Sequence, residues 1–144
     1  MNIRLTLKQR VKIVCNKVGI TLTELSKRIG STPSLFTQRL DNEKFTKDEL
    51  CKIAMAAGCE YISMFSFPDG KNFSALNIGD QIKEALAYAN MTAIELGAKF
   101  GWSQQVISKR MCIGKFTQKD LEKIGETIGC KYISEFHFDD GDII

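Results

Sequence analysis

The chain has 144 residues and a mass of 16.2 kDa, a length that suits one ordinary domain or two very small ones. Its 44% hydrophobic and 26% charged residues are close to the averages for soluble globular proteins, which argues against disorder, and its net charge of +3 is compatible with nucleic acid without requiring it. No apolar run approaches the roughly 18 to 20 residues needed to cross a bilayer, and the first residues lack the apolar stretch of a secretory signal, so we expect a cytoplasmic protein with no membrane partner.

The sequence has few cysteine and histidine residues that could act as nucleophiles or metal ligands. Cysteines number five, an odd count with no Cys-x-x-Cys pair, and His137 is the single histidine. A disulfide framework and a tetrahedral zinc site therefore lack ligand sets, and nucleophilic catalysis lacks a positioned base. We expect no enzyme activity, no metal and no cofactor.

An internal repeat at a constant offset of 71 residues is the most informative feature of the sequence. Residues 21–70 and 92–141 align without gaps, and about 20 of the 50 aligned positions are identical. This similarity indicates a duplication, so we predict two modules of one fold, residues 1–72 and residues 73–144. The first module carries 12 Lys/Arg and 7 Asp/Glu, a net charge of +5, and the second carries 8 and 10, a net charge of −2.

Each copy opens with a predicted amphipathic helix, over residues 6–18 in the first copy and residues 77–89 in the second. Apolar side chains recur there at three- and four-residue spacing. A second helix of barely two turns begins at Thr21 or Thr92 and ends at the glycine nine positions later. The glutamate three residues after each threonine predicts a reciprocal cap of the helix N-terminus.

Two further helices are predicted in each copy. The third follows Thr32 or Ser103, both favourable N-caps, and Pro33 is tolerated at a first helical position because its missing N–H would have no partner there. The fourth begins at Thr46 or Thr117 and stops before a glycine. The core-facing residues predicted for these helices are Phe36, Leu40, Leu50, Ile53, Ala57, Ile107, Met111, Leu121, Ile124 and Ile128.

Aromatic segments of β character end each copy. They close with the turn sequences Pro68-Asp69-Gly70 and Asp139-Asp140-Gly141, and Cys59 and Cys130 precede them as small buried residues rather than redox sensors. The segments could seal their own core as a small hairpin, or pair between copies or between chains through free strand edges; we favour sealing with some pairing. A homodimer through these segments stays open. Their aromatic residues are Tyr61, Phe65, Phe67, Tyr132, Phe136 and Phe138.

Two short helices joined by a tight turn containing glycine, the second exposing a polar face, are typical of the helix-turn-helix motif. Both copies resemble the helix-turn-helix domain of the Cro and phage-repressor type, through the patterns Thr21-x-x-Glu24-Leu25-x-x-x-Ile29-Gly30-x-Thr32-Pro33-x-x-Phe36 and Thr92-x-x-Glu95-Leu96-x-x-x-Phe100-Gly101-x-Ser103-Gln104-x-x-Ile107. The resemblance covers nearly the whole chain. It implies a mainly α fold of two lambda-repressor-like four-helix modules, each followed by a short β strand or hairpin. Members of this family are commonly sequence-specific transcriptional regulators.

The resemblance places the start of the second copy's recognition helix at Gln104, whose amide can bond N6 and N7 of adenine together. Gln105 follows it into the groove, and Lys109 lies one turn later on the exposed face, so we expect these three residues to read bases. Residues 99–123 hold six Lys/Arg and two Asp/Glu, which favours a phosphate backbone nearby. The phosphate contacts expected in this copy are Ser108, Arg110 and Lys115.

The first copy offers fewer base readers, because Pro33, Ser34 and Leu35 occupy the start of its recognition helix. Ser34 and Gln38 are its expected base contacts, and we expect it to contribute mainly phosphate contacts. These contacts are Lys27, Arg28, Arg39, Lys44 and Lys47. Both copies depart from the family at the start of the second helix, where Leu22 and Ala93 replace a frequent phosphate-binding glutamine.

Two apolar residues near the predicted turns are candidates for a protein contact. Trp102 lies in the turn where the first copy has Ser31, and its indole could pack within its own module, touch the sugar-phosphate edge or anchor a partner; we favour packing. Leu35 lies on the predicted recognition helix of the first copy. In the protein-binding alternative, Leu35 and Trp102 are the possible contacts with the partner.

The leading hypothesis is a transcriptional regulator, of the repressor type found in phages and mobile elements, that binds double-stranded DNA with two fused modules. Its operator would have two non-identical half-sites roughly 34 Å apart. The alternative is a protein-binding inhibitor, of the anti-defence type, that reuses the scaffold, with regulation of its own promoter left open. An RNA-binding or purely structural repeat ranks last, since aromatic residues for stacking bases on an open platform are missing.

Overall fold

The computed structural model describes residues 5–144, so residues 1–4 at the start of the first predicted module lie outside the described part. The described residues form eight helices and three short strands, and the predicted mainly α class is confirmed. The chain divides into two compact units: unit 1 is Met1–Ile62 with Glu135–Ile144, and unit 2 is Ser63–Ser134.

The helices of unit 1 begin where the threonine caps predicted them. Thr6, Thr21, Thr32 and Thr46 each accept a hydrogen bond from the backbone N–H three residues on. Pro33 occupies the first turn of the third helix, as expected. The helices are α1 (Leu7–Val18), α2 (Leu22–Arg28), α3 (Pro33–Asp41) and α4 (Lys47–Ala56).

Unit 2 repeats this order of helices. Thr92, Ser103 and Thr117 are its N-caps in the same roles, and Asn77 caps the first helix through its side-chain oxygen. Gly79 marks a close approach between two helices, since a Cβ there would lie 2.2 Å from the Met111 carbonyl oxygen. The helices are α5 (Ile78–Tyr88), α6 (Ala93–Phe100), α7 (Gln104–Ile113) and α8 (Gln118–Ile128).

The reciprocal caps form at the fourth helices rather than at the second ones. At Thr46 the backbone N–H donates to the Glu49 carboxylate at 3.0 Å, and at Thr117 it donates to a carboxylate in the same way. The Glu24 carboxylate instead lies 3.5 Å from Arg28, and Glu95 accepts from the Thr92 hydroxyl at 3.2 Å. Half of the cap predicted for the second helices is therefore present: each threonine hydroxyl accepts the backbone N–H of the glutamate. The glutamate carboxylates instead contact Arg28 in the first copy and the Thr92 hydroxyl in the second.

Three strands form one small sheet in the order β2-β1-β3, with β1 at Glu60–Ser66, β2 at Asn72–Phe73 and β3 at Lys131–His137. β1 and β2 are antiparallel, with Phe65 opposite Phe73. Residues 65–73 thus form a first hairpin, in which the Phe67 N–H donates to the Lys71 carbonyl at 2.9 Å. Residues 136–144 form a second hairpin with the equivalent bond from Phe138 to Asp142, also 2.9 Å.

Each hairpin completes the core of the unit whose helices come from the other sequence copy. In unit 1 the Phe136 ring is fully buried among residues of the first four helices and lies 5.3 Å from the Tyr61 ring. In unit 2 the buried Phe65 ring joins the core of the last four helices and lies 5.1 Å from the Tyr132 ring. The compact units therefore differ from the sequence repeats at their hairpins, which seal a core as expected but on exchanged helices.

Candidate nucleic-acid interface

The solvent face of α7 carries the base readers predicted for the second copy. Ile107 and Met111, which are 0% and 5% exposed, fix the rotation of the helix by burying its opposite face. Gln104, Gln105 and Lys109 consequently lie exposed. The Ser103 hydroxyl accepts from the Val106 N–H at 3.3 Å and holds the helix start, so the two amide side chains project from an ordered first turn. Ser108, a predicted phosphate contact, is exposed on the same helix.

The solvent face of α3 is more mixed. Phe36 and Leu40 are each 1% exposed and anchor the helix in unit 1. Ser34 and Gln38, the predicted base readers, are exposed, and between them Leu35 is 49% exposed. An apolar side chain at the middle of this face offers bases van der Waals contact but no hydrogen bond.

Arg39 and Arg110, which occupy equivalent positions in the repeat, both hold the loop that follows their helix. Arg39 donates twice to the Lys44 carbonyl, at 3.3 and 2.9 Å, and its guanidinium lies 4.3 Å from the Phe45 ring centroid. Arg110 donates to the Lys115 carbonyl at 3.3 Å. Sequence reasoning missed this anchoring, although the identical Arg and Lys-Phe-Thr sequences at one offset were a signal for it. Both side chains are half-buried, so less of each guanidinium faces solvent than the phosphate prediction assumed.

The charge of Arg39 is also balanced inside unit 1. Its guanidinium forms an ion pair with Glu49. Burial raises the pKa of Glu49, but hydrogen bonds from Arg39 and from the Thr46 backbone outweigh it and leave the pKa below its ordinary value. The carboxylate therefore stays ionised and keeps Arg39 oriented toward the loop.

Lys47, another predicted phosphate contact, is mostly buried, which leaves little of its side chain accessible to a phosphate. The residue is only 5% exposed, and burial lowers its pKa because desolvation penalises the ammonium form. Its place in the first turn of α4 suggested an exposed charge, but the Lys47 side chain is buried whereas the neighbouring Asp48 is exposed. The other phosphate contacts predicted for the first copy, Lys27, Arg28 and Lys44, are exposed. Of these three, Arg28 also donates a hydrogen bond to the Ala56 carbonyl at 3.0 Å.

Trp102 packs within unit 2, in the way we favoured. Its ring lies 4.7 Å from the Phe100 ring and 6.3 Å from the Phe116 ring, and the Arg110 guanidinium lies 4.4 Å from its centroid. The indole remains half-buried rather than fully enclosed. Its edge could still meet a partner, but its main contacts are internal.

The thiols before the strands are poor nucleophiles. Burial raises the pKa of Cys59 and of Cys130 to about 11, so both remain protonated near neutral pH. Cys130 is buried and Cys59 half-buried, in keeping with a packing role.

Comparisons of the chain with protein-family models, with curated proteins and with solved structures return no match. Among residues 5–144, the helices are all too short to traverse the apolar layer of a bilayer. The interpretation of the two helix faces therefore depends on their own chemistry.

Proposed function

We propose that the protein is a sequence-specific double-stranded DNA-binding regulator of the phage-repressor type, built from two helix-turn-helix modules. In this proposal α2 and α3 form one motif, α6 and α7 form the other, and α3 and α7 are the recognition helices. The observation that carries it is the exposed start of α7, where Gln104, Gln105 and Lys109 lie opposite a buried apolar face.

The turns between the paired helices support the motif. Gly30 and Gly101 have φ angles of +74° and +73°, in the left-handed region that glycine adopts without strain. Each turn then passes to an N-cap, Thr32 or Ser103, that starts the next helix. Short helix, glycine turn and capped second helix are the parts of a helix-turn-helix.

The two modules would contribute unequally. The α7 face combines two amides, which suit adenine, with Lys109 and the exposed Lys115 nearby in sequence. On the first module Arg39 is paired, Lys47 is buried and Leu35 is apolar, which leaves mainly Lys27 and Lys44 for phosphate. We therefore propose that the second module carries most of the sequence preference, on an operator with two non-identical half-sites.

Selection from a random DNA library, followed by titration at several salt concentrations, tests the proposal. Gln104→Ala should weaken binding to the selected site by about 1 to 3 kcal/mol and relax the preference for one base pair. Lys115→Ala should weaken all sequences alike and reduce the salt slope by about one. Lys83→Ala, which removes an exposed lysine of α5, is the matched control. Absence of any selected sequence, with no effect of Gln104→Ala, would refute the proposal.

A second candidate function, binding of a protein target by α3, is favoured by the exposure of Leu35. Replacing Leu35 by Glu would abolish capture of a protein partner, since a charge would be buried in the contact. The same change on a DNA-binding helix would weaken all DNA sequences through repulsion of phosphate. If biological activity requires Leu35 and Trp102 while DNA binding is never detected, the inhibitor function replaces the regulator.

A further inference from the structure

Each of the helices α3 and α7 has an exposed aliphatic side chain at its third position. Val106 is 39% exposed on α7, and Leu35, the equivalent residue of the repeat, is 49% exposed on α3. The polar residues around this position differ between the copies, since Gln105 and Lys109 of α7 replace a serine and a glutamine of α3. The aliphatic character is thus common to both helix faces, whereas the polar groups around it are not.

Val106 shares the solvent face of α7 with two of the proposed base readers. Ile107 and Met111 mark the buried side of this helix. At about 100° per residue, Gln105, Val106 and Lys109 all lie within about 60° of the opposite direction. Val106 and Lys109 are three residues apart and are therefore neighbours on the helix surface. A groove that accepts the polar side chains also receives the valine.

The folding of unit 2 does not account for a valine at this place. Val106 does not belong to the hydrophobic core of the unit, which α7 enters through Ile107 and Met111. A β-branched side chain also loses χ1 freedom in a helix, so that alanine or lysine would favour the helix more. The exposed methyl groups of Val106 are therefore available for a contact outside the chain.

An A·T base pair presents an apolar group close to the atoms that an amide binds. Adenine offers the N7 acceptor and the N6 donor, which match the amides of Gln104 and Gln105, and thymine projects its 5-methyl group into the same major groove. A helix that selects adenine with an amide therefore has thymine methyl groups in front of it. An exposed aliphatic side chain complements such a methyl group, because their contact removes apolar surface of both from water.

We propose that Val106 reads a thymine, whose 5-methyl group packs against the valine side chain when α7 lies in the major groove. This inference rests on the DNA-binding function proposed above. It narrows the ligand to duplexes with a thymine at a fixed place among the base pairs that Gln104 and Gln105 read. Leu35 offers the same kind of contact to the half-site bound by α3. A protein partner of α7 would use the valine without any dependence on a DNA methyl group.

Replacement of thymine by deoxyuridine tests the contact, because it removes the 5-methyl group and leaves every hydrogen-bonding group of the base. Each thymine of the DNA site selected by the wild-type protein is replaced in turn, and binding is titrated at one salt concentration. In the half-site whose base preference Gln104→Ala relaxes, we expect one replacement to weaken wild-type binding about fourfold, which corresponds to the burial of about one methylene group. Val106→Ala should bind the thymine-containing site more weakly and reduce the difference at that position to less than about twofold.

Two control variants separate this contact from a general loss of apolar surface. Ile13→Ala removes an aliphatic side chain of α1 that is also 39% exposed, and it should keep the wild-type difference between thymine and deoxyuridine. Leu35→Ala should keep it as well, because that residue lies on the other proposed recognition helix. Val106→Ala should itself fold, since the position is exposed and alanine favours a helix.

The outcomes distinguish this inference from the function on which it rests. Selected DNA in which no thymine is sensitive to deoxyuridine overturns the inference and leaves the regulator function standing. A sensitivity that Val106→Ala leaves intact, or that Leu35→Ala removes at the same position, also overturns it. Absence of any selected DNA sequence refutes the DNA-binding proposal itself.

Discussion

At the residue scale, identical side chains at equivalent positions acquire different environments. Arg39 and Arg110 both bond a loop carbonyl, but the residue equivalent to Glu49 is Asp120, whose shorter side chain caps Thr117. The ion pair is therefore formed in unit 1 through a longer carboxylate. Glu49 caps Thr46 with one carboxylate oxygen and pairs with Arg39 through the other.

We expect Arg39→Ala to lower the free energy of unfolding by about 1 to 2 kcal/mol, since it removes hydrogen bonds and a solvent-screened ion pair. Arg110→Ala should lower it by less, because it removes a single carbonyl bond and the contact with Trp102. Urea titration of both variants measures the difference. Equal losses would show that the Glu49 pair contributes nothing.

A second prediction concerns the buried Lys47. Because desolvation lowers its pKa, Lys47→Met should raise the free energy of unfolding near neutral pH by about 1 kcal/mol. As the pH rises through the lowered pKa, the folded chain binds fewer protons than the unfolded chain, so wild-type stability increases and the difference closes. Denaturant titrations between about pH 7 and pH 10 measure this trend. Lys52→Met, at an exposed position of α4, should show no such trend.

At the element scale, helix ends were the most predictable features. Threonine, serine and asparagine oxygens accept the first free N–H groups, and these caps fix the starts of the helices within a residue. The approach of one helix to another could not be predicted in this way. Gly79 looked like an ordinary helix residue, and its contact with Met111 depends on residues 32 positions away.

Gly79→Ala should therefore destabilise the protein, although alanine normally stabilises a helix relative to glycine by about 0.5 to 1 kcal/mol. The new Cβ would lie 2.2 Å from a backbone oxygen, so α5 and α7 must separate at a loss of about 1 to 3 kcal/mol. Thermal unfolding checks the sign. Gly125→Ala, whose nearest contact would be 3.1 Å, should lose less, in line with Ala54 at the equivalent position of the first copy.

At the scale of the whole molecule, the two sequence copies are interleaved. The repeat predicted two helical modules and their aromatic strands, but Phe65 and Phe136 are identical residues at equivalent positions, so either could fill either core. The copies do differ around the hairpins: Tyr88 stands where Lys17 bonds Asp140 and Asp142, and Lys71 stands where the second hairpin has Asp142. For the candidate site, the helical spacing of Ile107 and Met111 predicts which face of α7 is exposed. The burial of Lys47 depends on tertiary packing, which the local sequence pattern does not indicate.

Because the copies are interleaved, a substitution in the hairpin of one copy should destabilise the helices of the other copy. Phe136→Ala, in the second copy, should lower the stability of unit 1 by about 3 to 5 kcal/mol, because a large buried ring leaves a cavity. Native-state hydrogen exchange should then show faster exchange for amides of α1 to α4 than for those of α5 to α8. Phe65→Ala should produce the reverse pattern. Loss of protection within the mutated copy's own helices would contradict the exchanged packing.

The late position of the second hairpin also has a consequence during protein synthesis. The ribosome must add residues 63–134, all of unit 2, before the segment that seals unit 1 is made. At about 5 to 20 residues per second, that interval lasts roughly 4 to 15 seconds. During this interval the second hairpin has not been made and does not yet pack on α1. The core of unit 1, whose helices are translated before those of unit 2, is therefore completed only after the helices of unit 2 have been synthesised.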